Sequence, residues 1–516
     1  FMPGSGEIEF RADLDGDGFG IVRVLDNEPD VGSNPDVFDN GADTIKTNGR
    51  GLTIAGAGLV LGNIDTSSSK GGNSGNGGVE GKDIIIMQES NSDFKGGDSG
   101  NGGVGGEDII IMQDSNSDFK DGGAINLDAD GDITIQNINS SSTSYIGNSV
   151  NGGAIDLDAG GNVTTQNINS SSTSYIGNSG NGGAISVKAD GDITTKQEIN
   201  SSSYSKQGDS ANGGAIDLDA DGNVTTQNIN SSSNSHKSNS GDGGDISAKA
   251  GNDINTQDLN ASSTSYRGDS RDGGVVYVQA GNDINTQDLN TSSTSYRGDS
   301  GNGGVVYVQA GGNITIQGLI SYSDSWKGSS EGGGAIDLYA GGDLSTQDIN
   351  SFSFSSGGDS GNGGAIDLYA GVDITTQDIN SFSYSHGGHS EDGGAINLHA
   401  KQINPPEGGN TEKRTINTFS REKKESGEGK GGDVNIATNN VGNTEILTVS
   451  SHSESGKITI ESQTQEPLII NSSSMITSAQ VTAKIRGGET KIDVGDQGKS
   501  GDVFINSSGD LNLSNV

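Results

Sequence analysis

The chain has 516 residues, 29 Lys and Arg against 69 Asp and Glu, and a formal charge of −40, which leaves no basic face for phosphates and excludes nucleic acid as a leading partner. Only 28% of residues are hydrophobic and 87 are glycine, a balance that by itself fits a disordered chain better than a packed globule. With no Cys there is neither a disulfide framework nor thiolate chemistry, and no apolar run approaches the roughly 18 residues of a membrane span, so no membrane insertion is expected.

Residues 1–50 hold three of the six prolines, Pro3, Pro29 and Pro35, and read as irregular first coils or an end structure. Within them Asp13, Asp15 and Asp17 alternate with Leu14 and Gly16 ahead of Gly18. Carboxylates at alternate positions with glycines for a sharp bend can wrap oxygen ligands around Ca²⁺, the one cofactor the sequence points to. An EF-hand is excluded, because Val24 stands where the closing Glu would be, and the three aspartates are either Ca²⁺ ligands or a plain polar turn.

From residue 51 to 400 the chain repeats. The second glycine of each Gly-Gly-apolar step falls at Gly78, Gly103, Gly123, Gly153, Gly183 and Gly214, then every 30 residues to Gly394, then at Gly432. A fixed period of this length means a solenoid, a propeller or an array. Within one unit, Ala215-Ile216-Asp217-Leu218-Asp219-Ala220 alternates apolar with polar, the signature of a strand with one buried face. Asp221-Gly222 turns the chain, Val224 to Gln227 forms a second short strand, and a third segment centres on Ile229. A loop of Gly, Ser, Asn and Asp closes the unit.

Stacked in register, such units form columns, for example Ile246, Val276, Val306, Ile336, Ile366 and Ile396, or Leu338, Leu368 and Leu398. A narrow one-dimensional core needs few apolar residues per coil, which removes the conflict between composition and folding. A propeller blade needs four strands in about 40 to 50 residues, so 30 is too few. The reading is therefore an all-β parallel β-helix or solenoid with about 30-residue coils, three short strands per coil, right-handed by the crossover rule. At about 4.8 Å per coil it would measure roughly 80 Å. The 31-residue step to Gly214 predicts a bulge at Gln197 or Glu198.

The outward positions carry further patterns. Asp158, Lys188 and Asp219 alternate in sign as a salt ladder, and Asn260, Asn290, Asn350 and Asn380 recur at a corner as a candidate hydrogen-bond ladder. Tyr277, Tyr307, Tyr339 and Tyr369, with His399, lie along one stripe, while Trp326 joins Tyr266, Tyr296, Phe352, Phe354, Phe382 and Tyr384 in the third segment. Such rings serve either to stack coil on coil or as a contact surface, with Tyr277, Tyr307, Trp326, Tyr339 and Tyr369 the candidate glycan or partner residues.

Residues 401–431, from Pro405-Pro406 through Arg414, Arg421, Lys423 and Lys424, read as an insertion-bearing turn protruding into solvent. Residues 432–516 keep the alternation with less regular spacing and read as degenerate coils. No catalytic set emerges. The Gly-Asp-Ser-Gly run at Gly97 recurs at Gly298 and Gly358, so it is loop chemistry, and the carboxylates repeat by column rather than converge in one place.

The run Gly51-Leu-Thr-Ile-Ala-Gly-Ala-Gly-Leu-Val-Leu-Gly62-Asn-Ile-Asp, followed by Gly-Gly-Ala-Ile-Asp-Leu-Asp-Ala units, resembles large exoproteins of the filamentous-haemagglutinin type, especially the cyanobacterial ones. The resemblance implies the β-helical shaft of a two-partner-secreted protein, secreted or held at the cell surface. The expected function is thus a non-enzymatic structural or adhesive rod, partnered by surface proteins, glycans or other copies of itself end to end. Carbohydrate binding along the aromatic stripe is the alternative.

Overall fold

The computed structural model describes residues 131–404 continuously, Ile125–Ala129 before them, and 414–422, 429–442, 444–448, 450 and 455–463 after them; between Ile8 and Gln113 and between Leu468 and Ser514 it describes separate strands. Asp13, Asp15 and Asp17, as well as Pro405, Pro406, Lys423 and Lys424, lie outside the described residues. The chain forms two compact units, residues 1–207 with 213–230 and residues 208–212 with 231–516. Each is a parallel β-solenoid of the kind the repeat predicts, and no helix occurs among the described residues.

In the second unit the coil from Val276 shows the plan. Val276–Ala280 is the first wall, Ile284–Asn290 the second and Ser293–Ser295 the third. Alternate side chains of the first wall point inward, and Val276, Val278 and Ala280 are buried. Every wall pairs in parallel with the same wall one coil on, so like residues superpose: Ile246, Val276, Val306, Ile336, Ile366, Ile396, Val434 and Ile458 form one column. Leu259, Leu289, Leu319, Ile349, Ile379, Ile416 and Ile446 form another, on the second wall. The segment around Ile229 is a strand of its own in that coil, Asn228–Asn230, and lies along the second wall, where the coil from Val276 runs it together with the first part as Ile284–Asn290.

The third wall is instead Ser-x-Ser, and its core is made of hydroxyls. Ser293 and Ser295 are fully buried. Ser293 Oγ shares a 2.8 Å hydrogen bond with Ser270 Oγ, and Ser295 Oγ donates to Gly268 O at 2.8 Å while accepting from Gly298 N at 2.9 Å. The same contacts recur at Ser323 and Ser325, and at Ser353 and Ser355. Buried backbone polar groups need partners, and the serines supply some to the closing loop beside its own coil-to-coil backbone bridges, such as Ser270 with Ser300. The loop runs so close that a Cβ at Gly304 would lie 1.9 Å from Gly274 O, which accounts for the glycine marker at that position.

The first unit repeats the scheme, with Ile125, Ile155, Ile185 and Ile216 in register. Asp158, Lys188 and Asp219 face one another in adjacent coils, and Lys188 Nζ lies 3.4 Å from Asp158 Oδ1, as the salt ladder predicts. The extra residue is absorbed at Lys196-Gln197, where the second wall splits into Ile193–Thr195 and Glu198–Asn200 while Ile193 and Ile199 stay buried. Earlier, Val104 pairs with Leu127, a step of 127 − 104 = 23, although the glycine marker gives 20 from Gly103 to Gly123.

The insertion after Ala400 is placed by two offsets. Asp373 pairs with Gln402 (29 residues) but Ile379 with Ile416 (37), so 37 − 29 = 8 residues are inserted within the second wall, between Asn404 and Arg414. Arg414 corrects the solvated-loop expectation: it is 1% exposed, with Nε 3.1 Å from Thr444 Oγ1 and Nη1 3.3 Å from Asn404 O. Burial pushes its guanidinium down to about 10, against the opposing pull of Asp378.

Candidate ligand-binding groove

The outward positions of the first wall in the second unit form two adjacent columns. One holds Tyr277, Tyr307, Asp337, Asp367, Asn397, Asn435 and Thr459; its neighbour holds Gln279, Gln309, Tyr339, Tyr369, His399, Ala437 and Glu461. The aromatic positions cross from the first column to the second between Tyr307 and Tyr339 without breaking contact. Ring centroids are 5.2 Å apart for Tyr277 and Tyr307, 5.7 Å for Tyr307 and Tyr339, 6.5 Å for Tyr339 and Tyr369, and 4.7 Å for Tyr369 and His399. Lys249 Nζ lies 6.0 Å from the Tyr277 centroid and closes the other end of the ladder with a cation.

Beside the rings runs a polar rail. Tyr277 and Tyr307 donate their hydroxyls to Gln279 and Gln309 at 2.7 and 3.0 Å. Asn397 Nδ2 donates to Asp367 Oδ1, and Asn435 Nδ2 to Asn397 Oδ1 at 2.8 Å. Burial, then the charge of Asp367 and a hydrogen bond to it, raises the Asp337 carboxyl above the ordinary range. Burial raises the Tyr339 hydroxyl, with Asp337 and Asp367 adding to the effect.

Ring geometry separates structural stacking from available surface. Tyr277 and Tyr307 are parallel to within 4°, so each covers a face of the other; Tyr339 is tilted 41° from Tyr307 and 33° from Tyr369, and Tyr339 and Tyr369 are 38% and 42% exposed. His399 stacks on Tyr369, and on its other side the next coil offers only Ala437. A cavity of about 450 Å³ opens there, lined by Tyr339, Tyr369, His399, Ala437, Lys457 and Glu461 together with the rail. That volume falls within the range of small-molecule sites.

The five candidate contact residues do not form one surface. Tyr277, Tyr307, Tyr339 and Tyr369 come together on the first wall, whereas Trp326 follows the third wall, 6.1 Å from Tyr296, which stacks on Tyr266 at 4.9 Å. The third wall's other rings, Tyr322, Phe352, Phe382 and Phe419, form a continuous stack with spacings of 4.7, 4.7 and 4.6 Å and tilts of 14°, 2° and 6°. Their faces are spent on one another. Asp324 sits on that wall between Thr294 and Phe354 of the neighbouring coils, and burial pushes its carboxyl up to about 6 despite a hydrogen bond with Trp326.

Sequence reasoning missed Ala437, Lys457, Thr459 and Glu461. The signal was the second column itself, in which Ala follows Tyr, Tyr and His once Gly432 is aligned on Gly394. Among the described residues no group of three or more His, Asp and Glu side chains converges as a metal site. His389 Nδ1 lies 3.5 Å from Glu422 Oε2, and His399 belongs to the other wall.

No protein family, curated protein or solved structure matches the chain.

Proposed function

We propose that the chain is a non-enzymatic structural and adhesive shaft, secreted or carried on a cell surface, the role implied by the haemagglutinin-like character of its repeats. The observation that carries this reading is how its polar side chains are used. Asp269 Oδ1 accepts from Asp299 N at 2.9 Å, Asp299 Oδ1 from Ser329 N at 2.7 Å, and Asp359 Oδ1 from His389 N at 2.8 Å. At the turn between the first and second walls, Asp283 Oδ1 accepts from Asn313 N, and Asn313 Oδ1 from Asp343 N, at 2.7 and 2.8 Å. Asn380 and Asn417 donate their amides to Asn350 and Asn380 at 2.9 and 2.7 Å, whereas Asn290 caps Ser292 N. These aspartates and asparagines are committed to joining one coil to the next, which is what a load-carrying repeat requires.

Assembly end to end fits this role, with Ca²⁺ at Asp13, Asp15 and Asp17 as its proposed control. Electron microscopy of the purified chain with Ca²⁺ and with chelator tests both. Filaments of uniform width that disperse on chelation support the assembly and its control; filaments indifferent to chelator remove the Ca²⁺ role; separate particles of roughly 80 Å in both conditions remove self-assembly and leave a monomeric shaft.

The groove over Ala437 favours a second reading, carbohydrate binding. Tilted, half-exposed rings flanked by amides and carboxylates suit the apolar faces and hydroxyl edges of sugars. The test is a glycan preference that Tyr339→Ala removes.

A further inference from the structure

We propose that the cavity over Ala437 is a sugar-binding subsite that receives one ring of a neutral hexopyranose against the uncovered face of His399. The inference rests on the carbohydrate reading above and names its ligand class and its anchor.

Three observations converge. The ladder ends on a ring stacked on one side only: Tyr369 lies 4.7 Å from His399, and a methyl occupies the next position in register. Another ring placed there would continue the stack, and the space is about 450 Å³. The lining is polar in a way that a protein aromatic would not satisfy. Asn397 and Asn435 each keep a second amide N–H beyond the one used in the rail, and Lys457 and Glu461 supply donors and an acceptor at the rim.

Charge narrows the ligand. Asp367 and Glu461 provide two carboxylates against the single ammonium of Lys457, on a chain of formal charge −40, so uronic acid polymers are disfavoured and neutral sugars are not.

The test is titration calorimetry of the full chain with β-1,4-linked glucose and N-acetylglucosamine oligosaccharides, with polygalacturonate as the acidic comparison. Ala437→Phe fills the subsite with a ring that extends the stack; it is expected to abolish binding while thermal unfolding stays unchanged or moves upward. His399→Ala is expected to weaken binding about tenfold, and Trp326→Ala, on the other wall, to leave it unchanged. Binding that survives Ala437→Phe, or that is lost in Trp326→Ala instead, overturns the subsite but keeps the carbohydrate reading. A preference for polygalacturonate overturns the assignment to neutral sugars. Failure of the unsubstituted chain to bind any of these glycans removes the reading and the subsite together.

Discussion

The first and third walls of one coil bury equally well by opposite chemistry. Leu338, on the first wall, is fully buried in an aliphatic column between Val308 and Leu368; Ser323, on the third wall of the coil before it, is as fully buried but lies between Ser293 and Ser353. The aliphatic column is held by removal of apolar surface from water, which has no preferred direction. The serine column is held by hydrogen bonds to partners at fixed positions, Ser300 Oγ at 2.8 Å among them. The lesson concerns tolerance: the first wall accepts any side chain of the right volume, whereas the third takes a small group with a hydroxyl wherever Ser-x-Ser recurs and departs from it at Glu422, which is buried in register with Ser385.

Leu338→Ala is the larger perturbation. It leaves a void between two aliphatic neighbours that the stacked backbone cannot close, for a cost of about 3 kcal/mol. Because an array of repeats does not unfold in one step, the measurement is native-state hydrogen exchange of the amides in the coil from Ile336 and in its two neighbours. Faster exchange confined to those coils is expected; uniform acceleration throughout the unit would mean that coils are coupled far beyond nearest neighbours. Leu338→Met, which nearly conserves volume, is expected to cost much less.

Ser323→Ala removes only an oxygen, yet it deprives Ser300 Oγ of its partner inside the core, at a cost of about 1–2 kcal/mol. Ser323→Thr keeps the hydroxyl and adds a methyl, whereas Ser323→Val adds the same bulk without the hydroxyl. If hydrogen bonding governs this wall, Thr exceeds Val in protection of the Ser300 and Ser330 amides; equal protection would show that volume alone decides and would erase the contrast between the walls.

That contrast also explains what could be read from sequence. Hydrophobic periodicity found the first wall and the first part of the second because Ile336, Leu338 and Leu344 mark buried positions by being apolar. It misplaced the third wall, because Ser353 and Ser355 occupy inward positions with residues that ordinarily signal a loop, and the nearby Ile349 drew the third strand to the end of the second wall. The same bias set aside Arg414 as solvated. At the groove, Tyr339 and Tyr369 stood out as exposed aromatics, but the part most open to a ligand is marked by a missing ring, and Ala437 follows an interval lengthened to 38 residues that hides its register. Trp326 was drawn into the same set by residue type, and only the placement of the walls separates it from the groove.

The smallest expected effect lies on the outer side of the third wall and has an unusual sign. Asp324 ionises at about 6 in the folded chain against 3.8 for the ordinary side chain, chiefly through burial among Thr294, Phe354 and Trp326. At pH 8 it is charged in both the folded and unfolded states, and the folded state carries the desolvation cost. As pH falls through 6 the folded side chain takes up a proton first, so its contribution to stability improves down to about pH 4, where the unfolded chain is protonated too. Asp324→Asn isolates the effect. It is expected to stabilise the coil from Ser323 by about 1 kcal/mol at pH 8, after allowance for the solvent that reaches the carboxyl, and to have almost no effect at pH 4. Hydrogen exchange of the Ser323 and Ser325 amides at the two pH values provides the measurement, corrected for the intrinsic pH dependence of exchange. An equal gain at both would mean that the Asn side chain makes a contact of its own and that the charge of Asp324 is not what the third wall tolerates poorly.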